Sequence, residues 1–343
     1  MKRLASLFLV LLPTLSIGAQ TKASYTERLD SIVMYDHRYK RKIEFAYNGK
    51  GQTAQILYYR ENEDGWSLTN KREYFYDEQG RDTLRVVFDR KDGEWEVLQQ
   101  RYNTYGRLGE KLQERTVSYA KGEMLTESKW DYVYNEEGKQ VSASKYWRRI
   151  RTTPEEWKKE RTVEEEYDAK GNHVKEMYEY LNMQSTEKGT TIMCYDEEGR
   201  LTEKVDSSYN VLLGGREWRR QDFSYAGQQL SVMKDMITTI DHDMVWHSLD
   251  EYLFDPQGNL LQKRRYRQRS RVLKHVGSES YFYDLNRESS SIMGYDLLPE
   301  ILELEEAGQF HHKLIMLSDI WYMDEDDEDD AGKDETRLYY SPI

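Results

Sequence analysis

The stretch that decides the fold is Lys71-Arg72-Glu73-Tyr74-Phe75-Tyr76-Asp77-Glu78-Gln79-Gly80-Arg81. Side chains alternate along a β-strand, so Tyr74 and Tyr76 share one face of a strand. An Asp or Asn after the second aromatic residue bonds back to the chain, two polar residues follow, and Gly takes the left-handed position that closes a hairpin. The stretch therefore predicts a strand followed by a tight turn.

The same pattern recurs along the chain. The clearest turns comprise Tyr76, Asp77 and Gly80; Tyr134, Asn135 and Gly138; Tyr167, Asp168 and Gly171; Tyr195, Asp196 and Gly199; and Phe254, Asp255 and Gly258. With the other copies, nine aromatic anchors lie at positions 47, 76, 102, 134, 167, 195, 225, 254 and 283. A weaker Gly-containing turn lies between anchors, as at Asp92-Gly93. Each unit is therefore predicted to contain two antiparallel strands joined by short turns.

The repeat predicts an all-β fold: an extended array of antiparallel β-hairpins, about nine repeats of about 29 residues, forming an elongated twisted sheet or solenoid. The array is expected to cover residues 24–300. Two related segments, Ser31–Asp36 and Ser291–Asp296, are interpreted as half-units that protect the edges of the sheet. Residues 301–343 form a C-terminal segment with an acidic loop at 324–330 and a terminal strand.

The N-terminal residues have the features of a cleaved signal peptide. Lys2 and Arg3 precede an apolar stretch and the small residues Gly18 and Ala19, which predicts a signal peptide at 1–19 and no transmembrane segment after its cleavage. Its removal moves the formal charge from −13 to −15, which argues against a nucleic-acid partner. Cys194 is the only cysteine, so no intrachain disulfide can form.

The repeat resembles the YD repeats of Rhs-type proteins, in Tyr281-Phe282-Tyr283-Asp284 and Tyr195-Asp196-Glu197-Glu198-Gly199-Arg200-Leu201-Thr202 as well as in the stretch quoted first. The overall layout also looks like exported YD-repeat-like proteins of Bacteroidetes, mostly of unknown function. The resemblance implies β-hairpins wound into extended sheets or shells that often display other modules at a cell surface. The period departs from the family, whose repeats run to roughly twenty residues.

An enzyme is not expected, because carboxylates that recur once per unit behave as scaffold and give no unique catalytic constellation. A glycosidase using Glu155-Glu156 or Glu164-Glu165-Glu166 is the remaining catalytic alternative. His311 and His312 are adjacent on a predicted strand, so they would point to opposite faces. No metal or cofactor is expected.

The main functional hypothesis is a non-catalytic, exported repeat protein that acts as a structural, adhesive or protein-binding surface module, with an envelope protein or glycan as partner. Its expected location is the periplasm, the outer cell surface or the medium. The alternative is a carbohydrate-binding module that uses exposed aromatic rings for stacking. The candidate stacking residues are Trp66, Trp95, Trp157 and Trp218. The competing interpretation is that these rings only cover the sheet.

Overall fold

The computed structural model describes residues 25–36, 39–152, 156–181, 186–210, 215–238, 244–269, 272–301, 311–322 and 331–343. The predicted signal peptide, the acidic run at 324–330 and Glu155 lie outside these residues. No helix in the described part of the chain has the length and apolarity needed to span a bilayer.

The described residues form twenty-one strands, of which β19 has only two residues. They are β1 (Glu27–Tyr35), β2 (Lys40–Tyr47), β3 (Thr53–Asn62), β4 (Gly65–Tyr76), β5 (Asp82–Lys91), β6 (Glu94–Tyr105), β7 (Lys111–Ala120), β8 (Glu123–Tyr134), β9 (Gln140–Arg149), β10 (Lys158–Tyr167), β11 (His173–Leu181), β12 (Thr186–Tyr195), β13 (Leu201–Asn210), β14 (Gly215–Ala226), β15 (Gln229–Thr238), β16 (Met244–Phe254), β17 (Leu260–Arg269), β18 (Val272–Glu288), β19 (Ile292–Met293), β20 (His312–Tyr322) and β21 (Ala331–Pro342).

The sheet closes into a barrel of twenty antiparallel strands. Each strand from β1 to β17 pairs with the next in sequence, β18 pairs with β20, and β20 pairs with β21. Strand β1 then pairs with β21 from Glu27↔Pro342 to Tyr35↔Glu335. The prediction of an open, elongated twisted sheet or solenoid is therefore wrong, because this last ladder removes both edges that an open sheet would expose.

The strands that complete the barrel come from the C-terminal segment. Strands β20 and β21 continue the sheet, although the sequence places their residues outside the array. Of the two predicted half-units, the first lies mainly in β1. The second forms β19, which pairs with β1 in parallel, followed by the short turn Tyr295–Leu297 and a four-residue helix, α1 (Leu298–Ile301).

The two faces of the wall differ in exposure near the anchors. Tyr74 is 8% exposed and Tyr281 only 3%, whereas the next residues, Phe75 and Phe282, are each 46% exposed. Side chains on the Tyr74 face line one cavity across six neighbouring strands, so this face is concave and points inward. The aromatic residues two positions before an anchor share this inward face. They are Phe45, Tyr74, Tyr132, Phe223, Tyr252 and Tyr281.

Residues 289–301, which we call the inner segment, pack against the inward face. Leu298 is fully buried and belongs to one apolar cluster with Leu29, Ile32 and Leu314. The Tyr295 hydroxyl donates to the His312 carbonyl at 2.7 Å and accepts from the Leu314 amide at 3.0 Å. The apolar core is therefore concentrated where the inner segment meets the strands that close the barrel.

The eight hairpin turns after β2, β4, β6, β8, β10, β12, β14 and β16 lie at one end of the barrel, the anchor rim, because each follows an even-numbered strand in an up-and-down sheet. The ninth anchor, Tyr283, lies inside β18, which continues to Glu288, so the ninth predicted turn is not formed. At Asp77, the Oδ1 atom accepts from the Arg81 amide at 2.9 Å, and the Gly80 amide donates to the Asp77 carbonyl at 3.1 Å. Gly80 has φ +83°, the left-handed conformation that this turn requires. The Arg81 amide, with help from its guanidinium, lowers the pKa of Asp77 against a smaller opposing effect of burial.

The third turn lies three residues later than the sequence pattern indicates. Strand β6 extends through Tyr102 to Tyr105, and the turn runs from Gly106 to Glu110 with Gly109 at φ +93°. The Asn103 side chain donates instead to the Asp82 carbonyl at 2.8 Å. With Tyr105 as the third anchor, the first four anchors are spaced by 29 residues each.

The anchor hydroxyls join each unit to the one before it. Tyr76 donates to the Thr53 carbonyl at 2.8 Å, and Thr53 is the ladder partner of the preceding anchor, Tyr47. Equivalent bonds run from Tyr105 to Asp82, Tyr134 to Lys111, Tyr195 to His173, Tyr225 to Leu201 and Tyr283 to Leu260. Tyr167 donates instead to Glu165, and Phe254 has no hydroxyl. The repeated tyrosine thus bridges consecutive turns along the anchor rim.

Candidate functional site

A cavity of about 730 Å³ lies on the inward face, between the strands that close the barrel and the first units. A volume of this size is typical of sites for small molecules. Its lining comes from β20, β21, β1, β2, β3, β4 and the end of α1. The residues are Met34, Arg41, Ile43, Tyr58, Arg60, Thr69, Asn70, Arg72, Ile301, Leu317 and Thr336. Lys42 and Tyr59 also border the cavity, although strand alternation places their side chains on the outward face.

One part of the cavity is apolar. Met34, Ile43 and Leu317 come from three strands, and Ile301 comes from the end of α1. Ile43 is only 6% exposed, and Met34, Ile301 and Leu317 pack against the same buried cluster as the inner segment. The inner segment therefore contributes Ile301 to the apolar floor of the cavity.

Another part of the cavity is cationic, and Met34 of the apolar part is the ladder partner of its Arg41. Arg41 and Arg60 are direct partners in the β2–β3 ladder and lie near the barrel end opposite the anchor rim. Their guanidinium carbons lie 5.0 and 5.3 Å from the centroid of the Tyr39 ring. Both arginine side chains are exposed. Arg72, further along the wall, lies 5.0 Å from the Tyr58 ring.

Like charges directly opposite on neighbouring strands repel each other. Elsewhere on the inward face, arginines have carboxylate partners: Arg101 with Glu114 at 3.7 Å and Arg265 with Glu279 at 3.1 Å are examples. Among the described residues, no carboxylate lies within 4.0 Å of either Arg41 or Arg60. The mouth of the cavity is therefore a local concentration of positive charge in a chain whose net charge is −13.

Polar residues on the cavity wall form hydrogen bonds to neighbouring strands. The Thr69 hydroxyl donates to the Tyr58 carbonyl at 3.0 Å, and the Asn70 side-chain amide donates to Asp89 at 3.0 Å. Among the described residues that line the cavity there is no serine, cysteine or histidine. Within the described residues, no group of three His, Cys, Asp or Glu side chains is arranged to hold a metal ion.

The four tryptophans proposed as stacking platforms all lie on the outward face. Lys42 lies over Trp66 at 5.4 Å, Lys71 over Trp95 at 5.0 Å and Arg148 over Trp157 at 4.5 Å, all measured to the ring centroids. Trp218 is 39% exposed. Cation–aromatic contacts therefore occupy one side of three of these rings.

The carboxylates of the glycosidase alternative are divided by the wall. Glu164 and Glu166 are exposed on the outward face, whereas Glu165 points inward and accepts from the Tyr167 hydroxyl at 2.7 Å. His312 contacts Asn259 through both its ring and its backbone amide. Cys194 is an exposed strand residue. None of these groups lines the cavity.

Sequence reasoning missed the cavity and its arginines. Arg41 and Arg60 are nineteen residues apart, and only the strand register brings them together. Parity with the anchor was the available signal: counting back in twos from Tyr47 places Arg41 on the inward face. The contribution of β20 and β21 to the same wall had no comparable signal, since it depends on closure of the barrel.

No family model matches the sequence, and neither does any curated protein. Among solved structures, a porin-like protein from Bacteroides uniformis is 10% identical, with a TM-score of 0.33 and coverage of 91% of this chain and 96% of that chain. A structure of TcdB2-TccC3-TEV is 10% identical, with a TM-score of 0.31 and coverage of 83% of this chain. A DUF3836 family protein from Parabacteroides distasonis is 15% identical, with a TM-score of 0.15 and coverage of 41% of this chain and 90% of that chain.

This chain spans only 15% and 17% of the length of two TcdB2-TccC3 structures. Similarities at these identities and TM-scores assign neither a family nor a function to the chain.

Proposed function

We propose that the protein is an exported, non-catalytic binding barrel that holds a small ligand in its inward cavity. The observation that carries the proposal is the cavity of about 730 Å³, with an apolar floor and a polar mouth. Sites for small molecules combine apolar walls with a few polar groups that orient the ligand. Export is supported by the charged start, apolar stretch and small residues at positions 1–19.

The proposed barrel wall contacts water on both sides. Ion pairs recur on the outward face, including Lys42 with Glu44 at 2.8 Å, Lys71 with Glu73 at 2.6 Å and Lys129 with Asp131 at 2.9 Å. A barrel embedded in lipid presents an apolar band at these positions. The inward face carries charged pairs as well, which favours a rigid, hydrated wall. We therefore propose a periplasmic, surface or secreted location.

The units themselves are proposed to be YD-type repeats. The support is the turn chemistry, in which Asp or Asn accepts a backbone amide and Gly takes a positive φ, together with the tyrosine that bonds to the preceding unit. In this proposal the repeat builds the wall, and residues between the turns determine what is bound.

A second candidate function is docking of an envelope protein on the outward face. Leu253, Phe282, Ile315 and Tyr339, on strands β16, β18, β20 and β21, are 41 to 46% exposed near the anchor rim. Contiguous exposed apolar residues favour a contact surface. Glycan stacking receives less support, because lysine or arginine side chains already lie over Trp66, Trp95 and Trp157.

A fluorescent apolar probe, N-phenyl-1-naphthylamine, tests the proposed cavity. The wild-type protein is expected to bind it saturably, and Thr336→Trp is expected to abolish binding by filling the cavity from β21. Thr190→Trp, on the outward face of β12, is the matched control and should bind as the wild type does. Absence of saturable binding, or equal binding by Thr336→Trp, would contradict the proposal.

A further inference from the structure

We infer that the cavity selects an anionic amphiphile, a molecule with one apolar chain and a compact anionic head. The inference rests on the proposed binding function and names the ligand class. Its basis is the arrangement of groups in the cavity. Arg41 and Arg60 are ladder partners near the open barrel end, Met34 is the ladder partner of Arg41 on the other side, and the apolar Ile43, Leu317 and Ile301 line the same cavity.

The cavity presents cationic and apolar groups that suit the two parts of such a ligand. Ile43 lies two residues from Arg41 on β2, which corresponds to about 7 Å along a strand. The cationic and apolar parts are thus close enough for one molecule to contact both. An apolar chain directed toward Met34, Leu317 and Ile301 places its head beside the arginines.

The arginine pair provides the reason for an anion. Arg41 and Arg60 are ladder partners, and both guanidinium groups approach the Tyr39 ring. Partners in an antiparallel ladder have Cβ atoms about 5 Å apart, so their charges repel unless a counter-charge lies between them. Guanidinium groups bind carboxylates and phosphates through paired hydrogen bonds, which a neutral head cannot provide in the same way.

The chemistry of the site also excludes other ligand classes. A neutral apolar molecule leaves the arginine repulsion unchanged, and a cation increases it. A small inorganic anion compensates the charge but gains nothing from Ile43, Leu317 and Ile301. Only a ligand with both parts uses the whole cavity.

Isothermal titration of the full chain with four probes tests the inference: dodecanoate, dodecyl phosphate, dodecanol and inorganic phosphate. Dodecanoate or dodecyl phosphate is expected to bind at least tenfold more tightly than dodecanol, and inorganic phosphate weakly. The stronger of the two amphiphiles identifies the head group. The double variant Arg41→Met and Arg60→Met should lose this preference while still binding dodecanol, since Met keeps the apolar part of the side chain.

Two controls keep the outcome interpretable. Arg90→Met removes an exposed arginine from the outward face of β5 and should leave the binding of all four probes unchanged. Thr336→Trp should abolish binding of the amphiphiles and of dodecanol alike. Equal affinity for dodecanoate, dodecyl phosphate and dodecanol would contradict the selection of an anion but not the proposed binding function. Binding of none of the three dodecyl probes would contradict both proposals.

Discussion

Removal of one anchor hydroxyl tests whether the tyrosine bridges stabilise the barrel. Tyr283 is the clearest case, because its hydroxyl donates to the Leu260 carbonyl at 2.8 Å and Leu260 is 2% exposed. Burial, with nearby Tyr295 and Asp255, raises the pKa of Tyr283, so the hydroxyl keeps its proton at neutral pH. The change Tyr283→Phe keeps the ring and deletes only the donor.

The expected loss follows from the burial of the acceptor. A hydrogen bond contributes about 0.5–1.5 kcal/mol net, and a buried carbonyl left without its donor costs about 1–3 kcal/mol. Tyr283→Phe should therefore lower the free energy of unfolding by about 1–3 kcal/mol. The assay is equilibrium unfolding in urea followed by tryptophan fluorescence, in which the midpoint falls while the slope is unchanged.

The chain offers a matched control and a reciprocal variant. Tyr339→Phe changes an outward residue that is 43% exposed and should shift the free energy of unfolding by less than about 0.5 kcal/mol. Phe254 occupies an anchor without a hydroxyl, and Leu230 is the ladder partner of the preceding anchor, Tyr225. Phe254→Tyr should therefore bond to the Leu230 carbonyl and gain about 0.5–1.5 kcal/mol. If Tyr283→Phe is as stable as Tyr339→Phe, the bridging role is refuted.

Three further predictions concern charged side chains. Glu127 has a side chain only 5% exposed and pairs with Arg115 and Arg148, whose side chains are 45% and 26% exposed. Glu127→Gln removes the buried charge and leaves two arginines in contact with water, so it should destabilise by about 1–3 kcal/mol. Glu123→Gln, at a 68% exposed side chain, should have almost no effect in the same urea assay. Burial raises the pKa of Asp319 despite the nearby Arg265, so ionisation of Asp319 destabilises the native state. The stability of Asp319→Asn relative to wild type should therefore increase as pH rises above about 3.9. Asp77→Asn should show the opposite pH dependence. The pKa of Asp77 is lowered in the native state, so its ionisation stabilises the wild type above about pH 3.9, and the wild type loses this extra stability on acidification. A difference between Asp319→Asn and wild type that is independent of pH would contradict the second prediction.

Local features of the fold are readable from the sequence because they depend on neighbouring residues. Alternation at Tyr74 and Tyr76 and the Asp77–Gly80 turn involve chemistry within a few positions, and the structure shows strands and hairpins there. The third turn was misplaced because Tyr102, Asn103 and Gly106 also satisfy the pattern. In the structure, Tyr105 provides the hydroxyl that bonds to Asp82, and Gly109 provides the positive φ.

Closure of the barrel and the presence of the cavity could not be predicted from the sequence, because both depend on residues far apart in the chain. The β1–β21 ladder joins residues 300 or more positions apart, and no local motif in β21 specifies β1 as its partner. The cavity depends on that ladder, since Met34, Leu317 and Thr336 share a wall only in the closed barrel. Its arginine pair depends on the β2–β3 register.

The β1–β21 ladder also determines when the barrel can close during folding. Hairpins between adjacent strands can form as each pair of strands becomes available, because their contacts are local. The β1–β21 ladder can form only after β21 has been synthesised. Every folding intermediate before that point has two unpaired strand edges. Biogenesis of this barrel therefore includes an interval in which β1 is open to pairing with another chain, and a variant that slows synthesis or delivery of β21 should aggregate even though its folded state is unchanged.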